Sequence, residues 1–391
     1  MPRFPEISPY AHGVSHRVYS NLAARAAQSS DVVFPLHVGD TYRDPILAAR
    51  AERQLSDAHP GLHKYAPVHG EPELLEAFLE FVERRHAVSL DRENVQVMAG
   101  ATAGLNVVAQ VLLAPGDEVL LPSPFWPLSR GVFATKGAVP VQIPFYTRLD
   151  DPTFDAEALL EDAVTERTVA LYINTPNNPT GRVVPPSVVD AMLRVAARHN
   201  LWVLCDEAYE ELYLGDQAPE AVWKHPAIAD RALAFHTLSK TYGLAGARVG
   251  FTHGPASVMS AVRGMQTFQT YCAPRPMQFG AIRALQEGAE WVAQSRAAYR
   301  AAGTLAAEAL GTRMPDGGTF LFVDVRARLE ASAEDCTPFL ERCADRGVLI
   351  TPGLACGEHF ATWVRLCFTA VPPALLSEAL DRVGPLFRTP A

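Results

Sequence analysis

An α/β protein, with a large domain of mostly parallel sheet between helices and a smaller α+β domain drawn from both chain ends, is the architecture this sequence predicts. Three observations predict it. First, helical segments such as PELLEAFLEFVERR alternate with the short apolar runs VQVMAG, DEVLLPSP, VALYINTP, LWVLCDEAY and ALAFHTLSK. Short apolar runs set between helices read as parallel strands buried on both faces. Second, after MQFGAIRALQEG a long helical region leads to GGTFLFVDVR, GVLITPG and TWVRLCFTA, a further set of strands. Third, 391 residues exceed what one hydrophobic core usually organises, so two domains are expected.

The boundaries follow from these patterns. Residues 1–44, with the extended VVFPLHVGD, read as the N-terminal part of the smaller domain. Residues 45–279 read as the large domain, and 280–391 as the C-terminal part of the small one. No internal repeat or low-complexity segment interrupts them.

Composition excludes several classes. A 48% hydrophobic, 20% charged chain is neither disordered nor fibrous. The formal net charge of −9, with no basic run, argues against nucleic acid as a partner. No apolar run is long enough to cross a membrane, and MPRFPEISPYAHG lacks a signal-peptide pattern. The six cysteines, Cys205, Cys272, Cys336, Cys343, Cys356 and Cys367, form no C-x-x-C pair and read as reduced thiols of a cytoplasmic protein. His59 and His63 flank Pro60-Gly61, so they do not share a helix face, and no metal site is expected.

In an open α/β sheet, ligands bind outside the carboxyl ends of the strands. Here those ends run into Gly100-Ala101-Thr102, Phe125-Trp126, Asn174 with NNPTG, Asp206 with Tyr209, and Ser239-Lys240. A phosphate-type loop, an aromatic, an amide, a carboxylate with a phenol, and an amine are what a phosphorylated aromatic aldehyde would need.

Each residue has a plainer alternative. Lys240 is one of only four lysines, beside Lys64, Lys136 and Lys224, so a lysine here suggests a deprotonatable amine. A Schiff base requires that primary amine, although an isolated lysine at a strand end is ordinarily just solvated. Asp206 suits a pyridinium nitrogen and equally suits a helix N-cap. Tyr209 lies about one helical turn on and reaches the same ligand, or packs in the core. Gly100, Ala101 and Thr102, before a helix beginning near Ala103, let backbone N–H groups approach a phosphate. They match neither G-x-G-x-x-G nor a Walker loop. Ser239 and Arg248 add a hydroxyl and a fork of donors. Trp126 competes with Phe125 to stack on a ring, Asn178 donates to a phenolic oxygen or serves turn chemistry, and Arg365 in TWVRLCFT either clamps a substrate carboxylate or makes a structural ion pair.

Together SKTYGLAGARVG, DEAYEELY, NTPNNPTG and KYAPVHGEPELLEAF resemble the class I/II aminotransferases of the fold-type I pyridoxal-phosphate scaffold, in the family's order and similar spacing. The resemblance runs from HVGD to WVRLCF. It implies a seven-stranded sheet, pyridoxal 5'-phosphate as cofactor and a Schiff base on Lys240, whose amine then shuttles a proton. It also implies that Asp206 binds the pyridine nitrogen and that Asn178 and Tyr209 bind the phenolic oxygen. Gly100, Ala101, Thr102, Ser239 and Arg248 would hold the phosphate, and Trp126 would stack on the ring. Arg365, with Asn178 and the backbone at Gly39, would hold the substrate carboxylate. Tyr65 resembles a tyrosine that reaches the partner subunit's cofactor phosphate, implying a homodimer with sites at the interface. The implied reaction is ping-pong transfer of an amino group from an L-amino acid to a 2-oxo acid.

The chain departs from aspartate-specific relatives. Ala101-Thr102 stand where some carry a lysine. Phe268 stands, ahead of Tyr271-Cys272-Ala273-Pro274, where others contribute an arginine to the partner, with Arg275 out of register. An apolar or aromatic donor is expected. The rival is a lyase, cyclase or synthase on the same fold, which transfers no amino group to an added oxo acid. A non-catalytic sensor is disfavoured because the resemblance begins within the first few tens of residues, and a nicotinamide dehydrogenase because no glycine fingerprint opens the first βα unit.

Overall fold

A computed structural model describes residues 8–11, 22–55, 59 and 61–388. Seven strands form the main sheet: β1 (Val95–Met98), β2 (Glu118–Ser123), β3 (Val139–Pro144), β4 (Thr168–Asn174), β5 (Trp202–Asp206), β6 (Ala232–Thr237) and β7 (Gly250–His253). Their order is β1-β7-β6-β5-β4-β2-β3, parallel except that β7 runs against both neighbours.

Both faces of this sheet are buried, and strand alternation divides its side chains between two cores. Leu171, Val203 and Ala234 join one with Phe78, Phe81 and Phe251. Ala170, Tyr172, Leu204, Leu233 and Phe235 join the other with Leu105, Phe133 and Met259. Side chains that alternate between two dry faces explain why the strands read as unbroken apolar runs. Each large apolar side chain so buried contributes roughly 1.5–3 kcal/mol. The helix Pro72–His86 shows the local logic: proline opens it, Leu74, Leu75, Phe78, Phe81 and Val82 are buried, and Ala87 ends it in the left-handed region at φ 54°.

A smaller antiparallel sheet contains β8 (Phe320–Asp324), β9 (Thr351–Pro352) and β10 (Trp363–Cys367), with β10 in the middle. Its core is shared with the helices Ala289–Leu310 and Pro373–Arg388, and with Phe34 and Leu36. Among the described residues no helix is long and apolar enough to cross a membrane, and all six cysteines are free.

Two strands escape the sequence pattern. β3 contains Pro140 and Pro144 and lies at the sheet edge, where only Ile143 is fully buried. Proline is tolerated there because an edge strand lacks a second neighbour to bond. β7 sets Phe251 among Gly250, Thr252 and His253, so it does not read as an apolar run. The first helix of the sheet begins at Ala101, not near Ala103. The extended VVFPLHVGD contributes only a single bridge, Phe34 to Val348.

Candidate active site

The parallel strands end at one edge, and β7, running the other way, begins there. That single reversal brings Arg248, two residues before β7, beside residues that follow β1, β4, β5 and β6. A cavity at this edge is lined by Ala101, Thr102, Trp126, Asn174, Asn178, Asp206, Tyr209, Ser239, Lys240 and Arg248, among others. Of the remaining candidates, Gly100, Gly39 and Arg365 touch this set through Arg248, Lys240 and Asn178 respectively. Tyr65 lies apart from the cavity, 82% exposed and tilted against Tyr271 at 5.0 Å.

One end of the cavity is built for an anion. Gly100 caps the helix Ala101–Leu112, with no side chain bonded to its first N–H groups. Gly100 has φ +82°, and a Cβ there would meet Arg248 Nη2 at 2.8 Å; only glycine both adopts that conformation and leaves that room. Arg248 is itself left-handed at φ 52°, held by the carbonyls of Ala245 (2.8 Å) and Ala99 (3.3 Å), with Ser239 Oγ at 3.5 Å. A helix N-terminus, a hydroxyl and a guanidinium converge as phosphate recognition requires. Arg248→Gln is expected to weaken binding of a phosphorylated cofactor about 10- to 100-fold, read by fluorescence titration of the apoprotein.

The other end holds acid and base. Asp206 ends β5, accepting from the Tyr172 hydroxyl and from the Ala208 N–H at 3.1 Å. No helix follows Asp206, so the N-cap alternative is not realised; the carboxylate closes a turn and lines the cavity. Burial raises the Asp206 carboxyl above its ordinary value, while the bonds from Tyr172 and Ala208 and the nearby His236 act to lower it. Lys240, in the short helix after β6, donates from Nζ to the carbonyl of Gly39. Burial makes this amine less basic than an ordinary lysine, which favours the neutral nucleophilic form. Tyr209 has a phenol raised by burial, so it remains a hydroxyl, 3.4 Å from Asn178 Nδ2.

Asn178 links this end to Arg365. Its Oδ1 accepts from Arg365 Nη1 at 3.0 Å. Arg365 Nη2 reaches the carbonyl of His37 (3.2 Å) and the hydroxyl of Thr351 (3.3 Å), and the guanidinium lies 4.5 Å over the Phe320 ring. No carboxylate pairs with this buried charge among the described residues, and its Nε has no partner. The structural ion pair is therefore replaced by a cation held ready for an anion. Of the two adjacent aromatics, Trp126 lines the cavity while Phe125 is buried in the core.

Asn174, the amide that ends β4, accepts the Asn178 N–H at 2.8 Å and donates to the carbonyl of Asp206 at 3.0 Å. Sequence reasoning missed the other supports. Tyr146 accepts the Asn174 N–H at 3.1 Å. Phe320 lies against the position where Gly39 would carry a Cβ. Tyr172 was legible only as a phenol inside an apolar strand two residues before the amide.

Residues 31–383 match the family model "Aminotransferase class I and II". The chain is 33% identical over 363 residues to an arginine–pyruvate transaminase of Pseudomonas aeruginosa, covering 89% of this chain and 88% of that one. It is 31% identical over 380 residues to an aspartate/prephenate aminotransferase of Thermus thermophilus, covering 93% and 90%. An aspartate aminotransferase from Rhizobium meliloti superposes with a TM-score of 0.88 at 25% identity, covering 99% of this chain and all of that one. The sheet order, the convergence of amine, carboxylate and anion-binding edge, and these matches agree, and the chain belongs to the class I and II aminotransferases.

Proposed function

We propose that the cavity around Lys240 holds pyridoxal 5'-phosphate and that the enzyme moves an amino group from an apolar or aromatic L-amino acid to a 2-oxo acid, working as a homodimer. Residues 45–279 form the cofactor-binding domain, and 1–44 with 280–391 the smaller one. The observation that carries the reading is that a half-buried amine and a buried carboxylate line one cavity whose far wall is a helix N-terminus beside a guanidinium. The residues fit the group: the space at Gly100, the unpartnered Arg365 Nε and the less basic Lys240 each match a part of the cofactor or substrate.

The cofactor, when bound, supplies the electron sink that stabilises negative charge at the substrate's Cα. The protein does the rest by position. The backbone at Gly100, Ala101 and Thr102, with Ser239 and Arg248, holds the phosphate. Asp206 keeps a proton on the ring nitrogen, Asn178 and Tyr209 donate to the ring oxygen, and Trp126 covers one face. Arg365, with Asn178 and the backbone at Gly39, binds the substrate carboxylate and thereby sets where Cα lies. Lys240 Nζ would take the Cα proton and deliver it to C4′ of the bound cofactor.

The donor preference is supported by the fate of the arginine nearest in sequence to the position where aspartate-specific relatives place theirs. Arg275 is bonded to Glu71 and to the carbonyl of Gly61, each at 2.6 Å, so it is engaged away from any substrate. Phe268 is 88% exposed, and Tyr65 and Tyr271 are exposed and packed on each other at 5.0 Å, apolar surface of the kind a partner subunit covers. Sedimentation should give a dimer. Steady-state kinetics with a donor panel should favour phenylalanine, tyrosine, methionine or alanine over aspartate; a strong preference for aspartate would reverse the donor assignment. Arg365→Gln is expected to raise KM for amino donors about 10- to 100-fold, as loss of a charged hydrogen bond implies.

A further inference from the structure

A second polar cluster is buried on the sheet face opposite the cavity. Glu210, four residues after Asp206, meets His236 Nδ1 at 2.6 Å and His86 Nε2 at 2.9 Å. His236 lies on β6 between Phe235 and Thr237, which both line the cavity. Strand alternation turns it to the rear, where it stacks on Phe251 (4.2 Å, 3°) and beside His253 (5.1 Å, 20°). His86 ends the helix Pro72–His86 and meets the Trp223 ring edge-on at 5.0 Å. The other ionisable groups around Glu210 are Glu207, Glu211, Tyr242 and His253, with Arg85 donating to the Glu210 carbonyl.

Burial alone would raise the Glu210 carboxyl, and the two imidazoles overcome it and hold it below its ordinary value. Glu207 moves the opposite way, raised by burial and by the negative charges beside it. Glu210 is thus the carboxylate that bridges the segment after β5 to β6 and to the helix Pro72–His86. Burying such a polar pair seldom adds net stability over an apolar replacement, so stability alone does not account for it. Its location does. Glu210 follows Tyr209 directly, and His236 precedes Lys240 by four residues.

We propose that Glu210 and His236 are positioning residues: their bond fixes the segment carrying Asp206 and Tyr209 against the strand that delivers Ser239 and Lys240. This rests on the assignment of Lys240 and Asp206 to the cofactor. The pair touches neither cofactor nor substrate and acts through the register of two adjacent segments.

Two substitutions separate hydrogen bonding from packing. His236→Phe keeps a ring on Phe251 but removes the donor. His236→Asn keeps an N–H near the position of Nδ1. Because His236→Phe strands a buried carboxylate, the double variant Glu210→Gln/His236→Phe, which removes that charge, serves if the single variant does not fold. In His236→Phe and the double variant, kcat per mole of bound cofactor should fall about 10- to 100-fold, the scale of a small misplacement of catalytic groups. KM should stay within about twofold, since ground-state binding is untouched. Affinity of the apoprotein for pyridoxal phosphate, read by fluorescence, should weaken about tenfold, and His236→Asn should lie within about threefold of wild type in both readouts. A kcat within twofold of wild type in His236→Phe or the double variant would overturn the proposal, as would a loss confined to KM or a failure of His236→Asn to recover. If wild-type protein itself binds no pyridoxal phosphate, the cofactor assignment fails and the proposal with it.

Discussion

Lys240→Ala is expected to abolish amino-group transfer, lowering kcat by at least about 10⁴-fold, the upper range for loss of a positioned proton-transfer group, while pyridoxal phosphate still binds. The two effects separate because different residues cause them. On the proposed roles, retention would depend on Arg248, Ser239, the helix start at Ala101 and the Asp206 carboxylate, none of which the substitution removes. Turnover would depend on one neutral amine, and no other lysine lines the cavity. Burial makes Lys240 less basic than the ordinary lysine value of 10.5. A larger fraction is therefore neutral at a given pH, and the rate at which wild-type apoprotein captures the cofactor should rise with pH and level off below 10.5. Rapid-mixing absorbance measures that rate, and the variant should show only the slower change of noncovalent binding.

Asp206→Asn is expected to lower kcat about 10²- to 10³-fold, the usual cost of one preorganised electrostatic partner. The substitution preserves size and can still accept from Ala208 and Tyr172, so the fold should persist. What would disappear, on the proposed role, is the negative charge that keeps the ring nitrogen protonated. The Tyr172 hydroxyl and the Ala208 N–H bond to the carboxylate and counter the tendency of burial to neutralise it. Tyr172→Phe should therefore move in the same direction by a smaller factor. Single-turnover kinetics with saturating donor would isolate the step, and an Asp206→Asn rate within about tenfold of wild type would contradict the assigned role.

The legible and hidden parts of this molecule divide along a physical line. Buried parallel strands must be apolar on both faces, so β2, β4, β5 and β6 announce themselves as runs. Asn174 and Asp206, which end two of them, and Lys240, just past a third, stand out because polar groups follow dry ones. β3 and β7 were hidden because an edge strand tolerates proline and because Gly250, Thr252 and His253 break up any apolar run. Arg365 was conspicuous as a charge within an apolar strand, yet whether it met an acid depended on contacts with His37, Asn178 and Thr351. Those residues are distant in the chain, and no spacing encodes them. The same holds for Glu210 and His236: each looks ordinary in sequence, and only the pleat places them together behind the sheet.

The central claim is that Lys240 forms the covalent link to the cofactor. Reduction of the purified protein, loaded with pyridoxal phosphate, by borohydride followed by peptide mass spectrometry tests it most directly, because the chain offers only four lysines. The phosphopyridoxyl mass should appear on the peptide containing Lys240; its appearance instead on Lys64, Lys136 or Lys224, or on no lysine at all, would contradict the account.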